Sequence, residues 1–143
     1  MAHRTRAVSG VAPARTREDL MKALVVETSS TMRAVLRRIL SMRGFEVSEA
    51  DNGPQALEVL HGMGTADIVL VDWTLRGMTS LEFITCLRHE TAHETMVLML
   101  AEREPGIREV HRALMAGADD YLTKPFTSLQ IDEKMTRAGL TWQ

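Results

Sequence analysis

A chain of 143 residues, 45% of them hydrophobic, can bury one good core and is too short for two ordinary domains. Its 17 basic and 19 acidic residues leave a formal net charge of -2, which argues against a nucleic-acid binder held by bulk electrostatics, and no apolar run is long enough to span a bilayer. The N-terminal stretch lacks the continuous apolar region of a secretory signal, and a single cysteine, Cys86, allows no internal disulfide and suits a reducing cytoplasm.

Residues 1–21 read as a disordered basic extension: Arg4, Arg6, Arg15 and Arg17 occur with no acid before Glu18, beside Gly10, Pro13 and small residues. Because Met21-Lys22-Ala23-Leu24-Val25-Val26 resembles a natural start, the arm is taken as an upstream addition and a solvated tail rather than a contact for an acidic partner. Ala23 to Val26 is a short buried strand ending at Glu27 and Thr28. Ser30 or Thr31 is placed to cap a helix in which Met32, Val35, Leu36, Ile39 and Leu40 recur at helical spacing, and Gly44 ends it. Arg33, Arg37, Arg38 and Arg43 fall on the remaining faces and read as solvated surface. Phe45 and Val47 alternate with Glu46 and Ser48, the pattern of a strand nearer a sheet edge.

Asn52-Gly53-Pro54 puts proline in the first turn of a second helix carrying Ala56, Leu57 and Leu60, which fades at His61-Gly62-Met63-Gly64. Asp67-Ile68-Val69-Leu70-Val71-Asp72 follows, an unbroken apolar run between carboxylates, as expected of a strand covered on both faces in a parallel sheet. After the loop Trp73 to Thr79 comes a helix through Leu81, Phe83, Ile84 and Leu87. Met96 to Leu100 is a fourth strand, Ile107 to Met115 a fourth helix closed by Gly117, and Tyr121 and Leu122 a fifth strand before Lys124-Pro125-Phe126. A last helix starts near Ser128, runs through Leu129 and Met135, and stops at Gly139, leaving 141–143 as a tail. Strand and helix alternate five times, which predicts an α/β fold with a doubly wound five-stranded parallel sheet.

Three strands end in Glu27, Asp72 and Lys124, and a parallel sheet brings all three to one rim. Two neighbouring carboxylates need a cation, either a hard divalent ion such as Mg²⁺ or the lysine ammonium. The set suits handling a phosphoryl group with Asp72 as nucleophile, provided Asp72 still reaches solvent; a buried ion pair that only joins strands is the competing reading. His89-Glu90-Thr91-Ala92-His93 has the spacing of a zinc protease, but lies in a polar segment with no obvious third ligand, so catalytic zinc is not expected. His61 and His111 read as exposed, the ten methionines mostly as core fillers, and no phosphate-cradling glycine loop follows any strand.

The stretches Leu24-Val25-Val26-Glu27, Ser30-Thr31-Met32-Arg33, Asp51-Asn52-Gly53 with Ala56-Leu57, Asp67 to Trp73, and Ala116 to Phe126 occur in order. Together they make residues 22–140 resemble the receiver domain of two-component response regulators, the CheY-like, flavodoxin-like (βα)5 kind. The resemblance implies that Asp72 accepts a phosphoryl group from a histidine kinase, that Lys124 contacts its oxygens, and that Mg²⁺ is held by Glu27, Asp72 and the backbone carbonyl of Thr74. It further implies a cis Lys124–Pro125 bond, switch positions at Ala101 and Tyr121, and signalling through the face of the fourth helix, fifth strand and fifth helix. A cytoplasmic monomer or weak homodimer that is not an enzyme, touches neither nucleic acid nor membrane, and acts on a protein partner would follow. The segments outside residues 22–140 are too short for an output domain, so the chain acts alone or is part of something longer.

Three departures bear on these expectations. Receivers usually carry two acids after the first strand, whereas Thr28 follows Glu27 here and should weaken Mg²⁺. Ala101 and Glu102 offer no hydroxyl at the end of the fourth strand, so the coupling that draws Tyr121 inward should be absent or rewired. The loop Leu75-Arg76-Gly77-Met78-Thr79-Ser80 lacks the usual proline and Asp-Gly, a local change because Thr79 or Ser80 can still cap the next helix. A phosphorylation-independent interaction module is therefore the alternative to a phosphorylation switch.

Overall fold

The computed structural model describes residues 20–90 and 94–142. The expectation for the basic arm falls almost wholly outside the described residues, as do Thr91, Ala92 and His93 of the zinc-protease-like pattern and the last residue of the tail. Strands β1 (Lys22–Val26), β2 (Glu46–Ala50), β3 (Ile68–Asp72), β4 (Met96–Ala101) and β5 (Asp120–Thr123) alternate with helices α1 (Ser30–Met42), α2 (Gly53–Met63), α3 (Ser80–Glu90), α4 (Ile107–Ala116) and α5 (Ser128–Arg137). All strand pairs are parallel, in the order β2-β1-β3-β4-β5. Among the described residues no helix is long and apolar enough to cross a membrane.

The apolar runs of the central strands have a direct cause. Successive side chains of a strand point to opposite faces, so a sheet covered on both sides needs apolar residues at every position. Ala23, Val25, Ile68, Leu70, Met96, Leu98 and Leu100 share one core with Leu36 and Leu40 of α1 and Ile131 and Met135 of α5. The intervening Leu24, Val26, Val69, Val71, Val97 and Met99 share the other with Ala56, Phe83, Ile84 and Ala113 of α2, α3 and α4. Every residue of β3 and β4 is buried, whereas edge strand β2 buries only Val47 and Ala50.

Helix starts follow side-chain capping. Ser29, rather than Ser30 or Thr31, caps α1 by accepting from the Met32 N–H at 3.2 Å. Asn52 caps α2 through the Gln55 N–H at 2.8 Å, Thr79 accepts from the Glu82 N–H before α3, and Thr127 accepts from the Gln130 N–H to start α5. The loop after β3 turns at Gly77 with φ 81°, where an added Cβ would also stand 2.9 Å from the Pro54 ring.

Several amphipathic readings are corrected. Val35 lies on the solvent side of the α1 stripe, 44% exposed. Ile107, Leu129, Met42 and Met115 are exposed too, so core filling accounts for Met21, Met96, Met99 and Met135 but not for those two methionines. Arg33 and Arg43 are not solvated surface. Arg43 forms a two-pronged ion pair with Asp132 that ties α1 to α5, and Arg33 reaches the β1–α1 loop.

Candidate functional site

Glu27, Asp72 and Lys124 are each held by a sheet-type hydrogen bond at a strand end, so their positions follow from the register. The Glu27 N–H donates to the Ala50 carbonyl at 3.1 Å, just past β1. Asp72 ends β3 opposite Leu100, whose carbonyl accepts from the Trp73 N–H at 2.8 Å. Past β5, the Lys124 N–H donates to the Ala101 carbonyl at 2.8 Å, and the Lys124–Pro125 bond is cis. Sheet order reverses between β1 and β3, and the crevice beyond that reversal is where open α/β sheets bind ligands.

The three side chains converge there. Lys124 Nζ donates to Glu27 Oε1 at 2.6 Å and lies 3.8 Å from Asp72 Oδ2, and Glu102 Oε1 accepts from the same ammonium at 3.2 Å. Thr28 Oγ1 donates to Asp72 Oδ2 at 3.2 Å, and the Thr74 N–H donates to Asp72 Oδ1 at 3.1 Å. Ser29 N–H completes the Glu27 carboxylate at 2.9 Å. Asp72 keeps 5% of its side-chain surface exposed, a narrow opening rather than an open shelf. A cavity of about 90 Å³ opens beside it, lined by Trp73, Thr74, Ala101, Glu102 and Pro105 among others, without including the Asp72 carboxylate.

Electrostatics follow this geometry. Burial pushes the Glu27 carboxyl up, but the Lys124 and Ser29 hydrogen bonds outweigh it and hold the group below the usual range. Burial raises Asp72 too; the Thr74 N–H opposes it, the Glu27 charge adds to it, and the carboxyl ends above its ordinary value. Burial disfavours the Lys124 ammonium, but the hydrogen bond to Glu27 and the charges of Asp72 and Glu27 raise it above the ordinary lysine value. One ammonium thus faces two buried carboxylates, and burial, with the Glu27 charge adding to it, is what raises Asp72.

Whether Mg²⁺ suits the site is tested by the donors that the two carboxylates and their neighbours present. The oxygens available are hard donors: two carboxylates and the Thr28 hydroxyl, with no histidine or cysteine among them. Mg²⁺ commonly takes one or two carboxylates and completes its shell with water and phosphate oxygens, so the set fits. It fits with one charge fewer than a paired-acid site, since Thr28 donates a hydrogen bond to Asp72 instead of adding a carboxylate. Among the described residues no three His, Cys, Asp or Glu side chains gather as a metal cluster.

Tyr121 sits away from the carboxylates, half-buried at the surface. Its hydroxyl donates to Glu104 Oε2 at 2.6 Å, its ring meets Trp73 edge-on at 6.3 Å and 81°, and Lys134 Nζ lies 5.7 Å from the ring centre. Ala101 is buried at the end of β4, paired with Thr123. Sequence reasoning missed Arg33, whose Nη1 donates to the Glu27 carbonyl at 2.6 Å and the Thr28 carbonyl at 3.3 Å, fixing the loop that carries both site residues. It also missed the Glu102 contact to Lys124 and the Glu104 contacts to β5. The available signal was placement: Arg33 lies in the first turn after that loop, and both glutamates lie in the loop after β4.

Residues 23–136 match the family model described as the response regulator receiver domain. The chain is 35% identical over 116 residues to chemotaxis protein CheY1 of Helicobacter pylori, covering 80% of this chain and 94% of that protein. It is 32% identical over 118 residues to chemotaxis protein CheY of Pseudomonas aeruginosa, covering 82% and 94%. Among solved structures, chemotaxis protein CheY4 of Vibrio cholerae superposes with a TM-score of 0.76 at 27% identity, over 82% of this chain and 98% of that one.

Proposed function

The chain belongs to the response regulator receiver family of two-component signalling, and from that premise we propose that Asp72 is a phosphoacceptor whose modification alters a protein-binding face. The observation that carries this reading is the convergence of Asp72, Glu27 and Lys124 at the sheet's switch point, with Lys124 Nζ 3.8 Å from Asp72 Oδ2. In the reaction, an Asp72 carboxylate oxygen attacks the phosphorus of a kinase phosphohistidine. The new O–P bond forms as the N–P bond breaks, and the imidazole nitrogen keeps that electron pair and takes a proton. Lys124 keeps Asp72 ionised and then donates to the phosphoryl oxygens. Glu27, Asp72 and the Thr74 carbonyl, with Thr28 as a neutral oxygen, would hold Mg²⁺. When bound, the ion supplies positive charge to the phosphoryl oxygens.

Output in this reading runs through α4, β5 and α5, where Ile107, Leu114 and Met115 of α4 and Leu129 of α5 stay exposed. The chain acts as a phosphoryl carrier rather than a turnover enzyme, in the cytoplasm where Cys86 stays a thiol. Its partners are a histidine kinase and a downstream protein, and it works as a monomer or weak homodimer. The chemotaxis role in the names of its relatives makes a motility component one such downstream partner.

A second reading is favoured by one set of contacts. Lys124 is closer to Glu27, at 2.6 Å, than to Asp72, and Thr28 satisfies Asp72, so the polar groups are paired without a phosphoryl group. That arrangement also suits a constitutive interaction module. Trp73 fluorescence separates the two: the switch responds to millimolar Mg²⁺ and then to a small phosphodonor, with Asp72→Asn exposing the Trp142 background. A silent Trp73 under both additions favours the constitutive module.

A further inference from the structure

Two carboxylates of the loop between β4 and α4 reach β5 and the residue that follows it. Glu102 Oε1 accepts from Lys124 Nζ at 3.2 Å. Two residues on, Glu104 accepts from the Tyr121 hydroxyl at 2.6 Å and from Thr123 Oγ1 at 3.1 Å. The loop is short, from Ala101 at the end of β4 to Ile107 at the start of α4. Ala101 carries no hydroxyl to sense a new charge on Asp72.

A lysine ammonium has three N–H groups and no acceptor. Two point at Glu27 and Glu102, and Asp72 stands beyond hydrogen-bond distance at 3.8 Å. A phosphoryl group on Asp72 would take the third N–H and bring more negative charge beside both carboxylates, so repulsion bears on whichever partner can leave. Glu27 is buried, 1% exposed, so releasing it would strand a carboxylate in low dielectric. Glu102 is 73% exposed and returns to water at small cost. Repulsion between like charges pushes it the same way.

We propose that Glu102 is a positioning residue for phosphoryl acceptance at Asp72: it holds Lys124 at rest, gives way to the phosphoryl oxygens, and carries the movement along its loop to the Glu104–Tyr121 contact. The inference rests on the phosphoacceptor reading. A latch of two carboxylates thus replaces the hydroxyl that Ala101 lacks.

Tyr121 is the single tyrosine, so ring-labelled tyrosine gives one NMR signal in the full chain. Glu102→Gln, Glu102→Asp and Glu104→Gln are compared with the unaltered chain, using acetyl phosphate with Mg²⁺ as the phosphodonor. Glu102→Gln is expected to accept phosphoryl about two- to fivefold faster, with Glu102→Asp restoring the slower rate. Its Tyr121 signal should also shift toward that of Glu104→Gln before any phosphodonor is added. An unchanged rate in a chain that is modified, or an unmoved Tyr121 signal in Glu102→Gln while Glu104→Gln moves it, overturns the proposal. Should neither chain take up phosphoryl, the phosphoacceptor reading falls by itself. The coupling between Glu102 and Tyr121 is then upheld by a moved signal and overturned by an unmoved one.

Discussion

Lys124 sits nearer to Glu27 than to Asp72, 2.6 Å against 3.8 Å, so at rest the ammonium chiefly neutralises the deeper carboxylate and leaves Asp72 short of positive charge. Removing that ammonium should be costly. Lys124→Met leaves two buried carboxylates facing each other, and breaking such a pair typically costs about 3–5 kcal/mol. Urea unfolding at neutral pH measures the loss; a change under about 1 kcal/mol would mean the cluster is better hydrated than its burial indicates.

Lys124 also sets an alkaline limit. Its folded-state value is raised above the ordinary 10.5, so its contribution is fully present below pH 10.5 and is lost as pH climbs through the folded-state value. Glu27, held below the ordinary 4.5, contributes above that value and loses its contribution as pH falls through its lowered one. Stability measured against pH should therefore fall at both ends, and Lys124→Met should flatten the alkaline arm.

Asp72 has the opposite sign from Glu27. Its raised value means that, as pH rises past the ordinary 3.8, the unfolded chain releases the proton first and the ionised folded form loses stability. Asp72→Asn should therefore be more stable than the unaltered chain at neutral pH, with the gap closing below pH 3.8. Equal stability of the two chains at pH 7 would show that Lys124 and water already balance the charge.

Thr28→Asp would place a third carboxylate where the hydroxyl now donates to Asp72 at 3.2 Å. An added charge worth even one or two of the roughly 4 kcal/mol of a unit pair at 4 Å tightens Mg²⁺ about ten- to thirtyfold. Titration followed by Trp73 fluorescence gives the number. Without Mg²⁺ the same variant should be less stable, because like charges gather with no cation between them.

Arg33→Ala removes the donor to the Glu27 and Thr28 carbonyls. Hydrogen bonds from a charged donor contribute about 1.5–3 kcal/mol. A drop of that order in unfolding free energy is expected, with Arg33→Lys recovering only part because an ammonium lacks the planar fork.

These residues show what sequence could and could not reveal. The β3 run was legible because burial on both faces forbids alternation, and Glu27, Asp72 and Lys124 were legible because parallel strands bring their ends to one rim. β2 continues to Ala50 although Ser48 and Glu49 are polar, since pairing with β1 sets its length. Arg33 was invisible because its partners are backbone carbonyls, which every residue carries. The span of α4 was legible, but not its facing: only Ala113 is buried, and Ile107, Leu114 and Met115 stay exposed. Glu102 was not legible as a partner of Lys124 because that contact depends on the conformation of the short loop after β4.

The most direct test is the intact mass of the full chain after incubation with Mg²⁺ and acetyl phosphate, beside Asp72→Asn. A gain of one phosphoryl group in the unaltered chain and none in Asp72→Asn is the expected result. A mass that stays constant while a control receiver is modified in the same buffer, or a gain that survives in Asp72→Asn, would remove Asp72 as the acceptor.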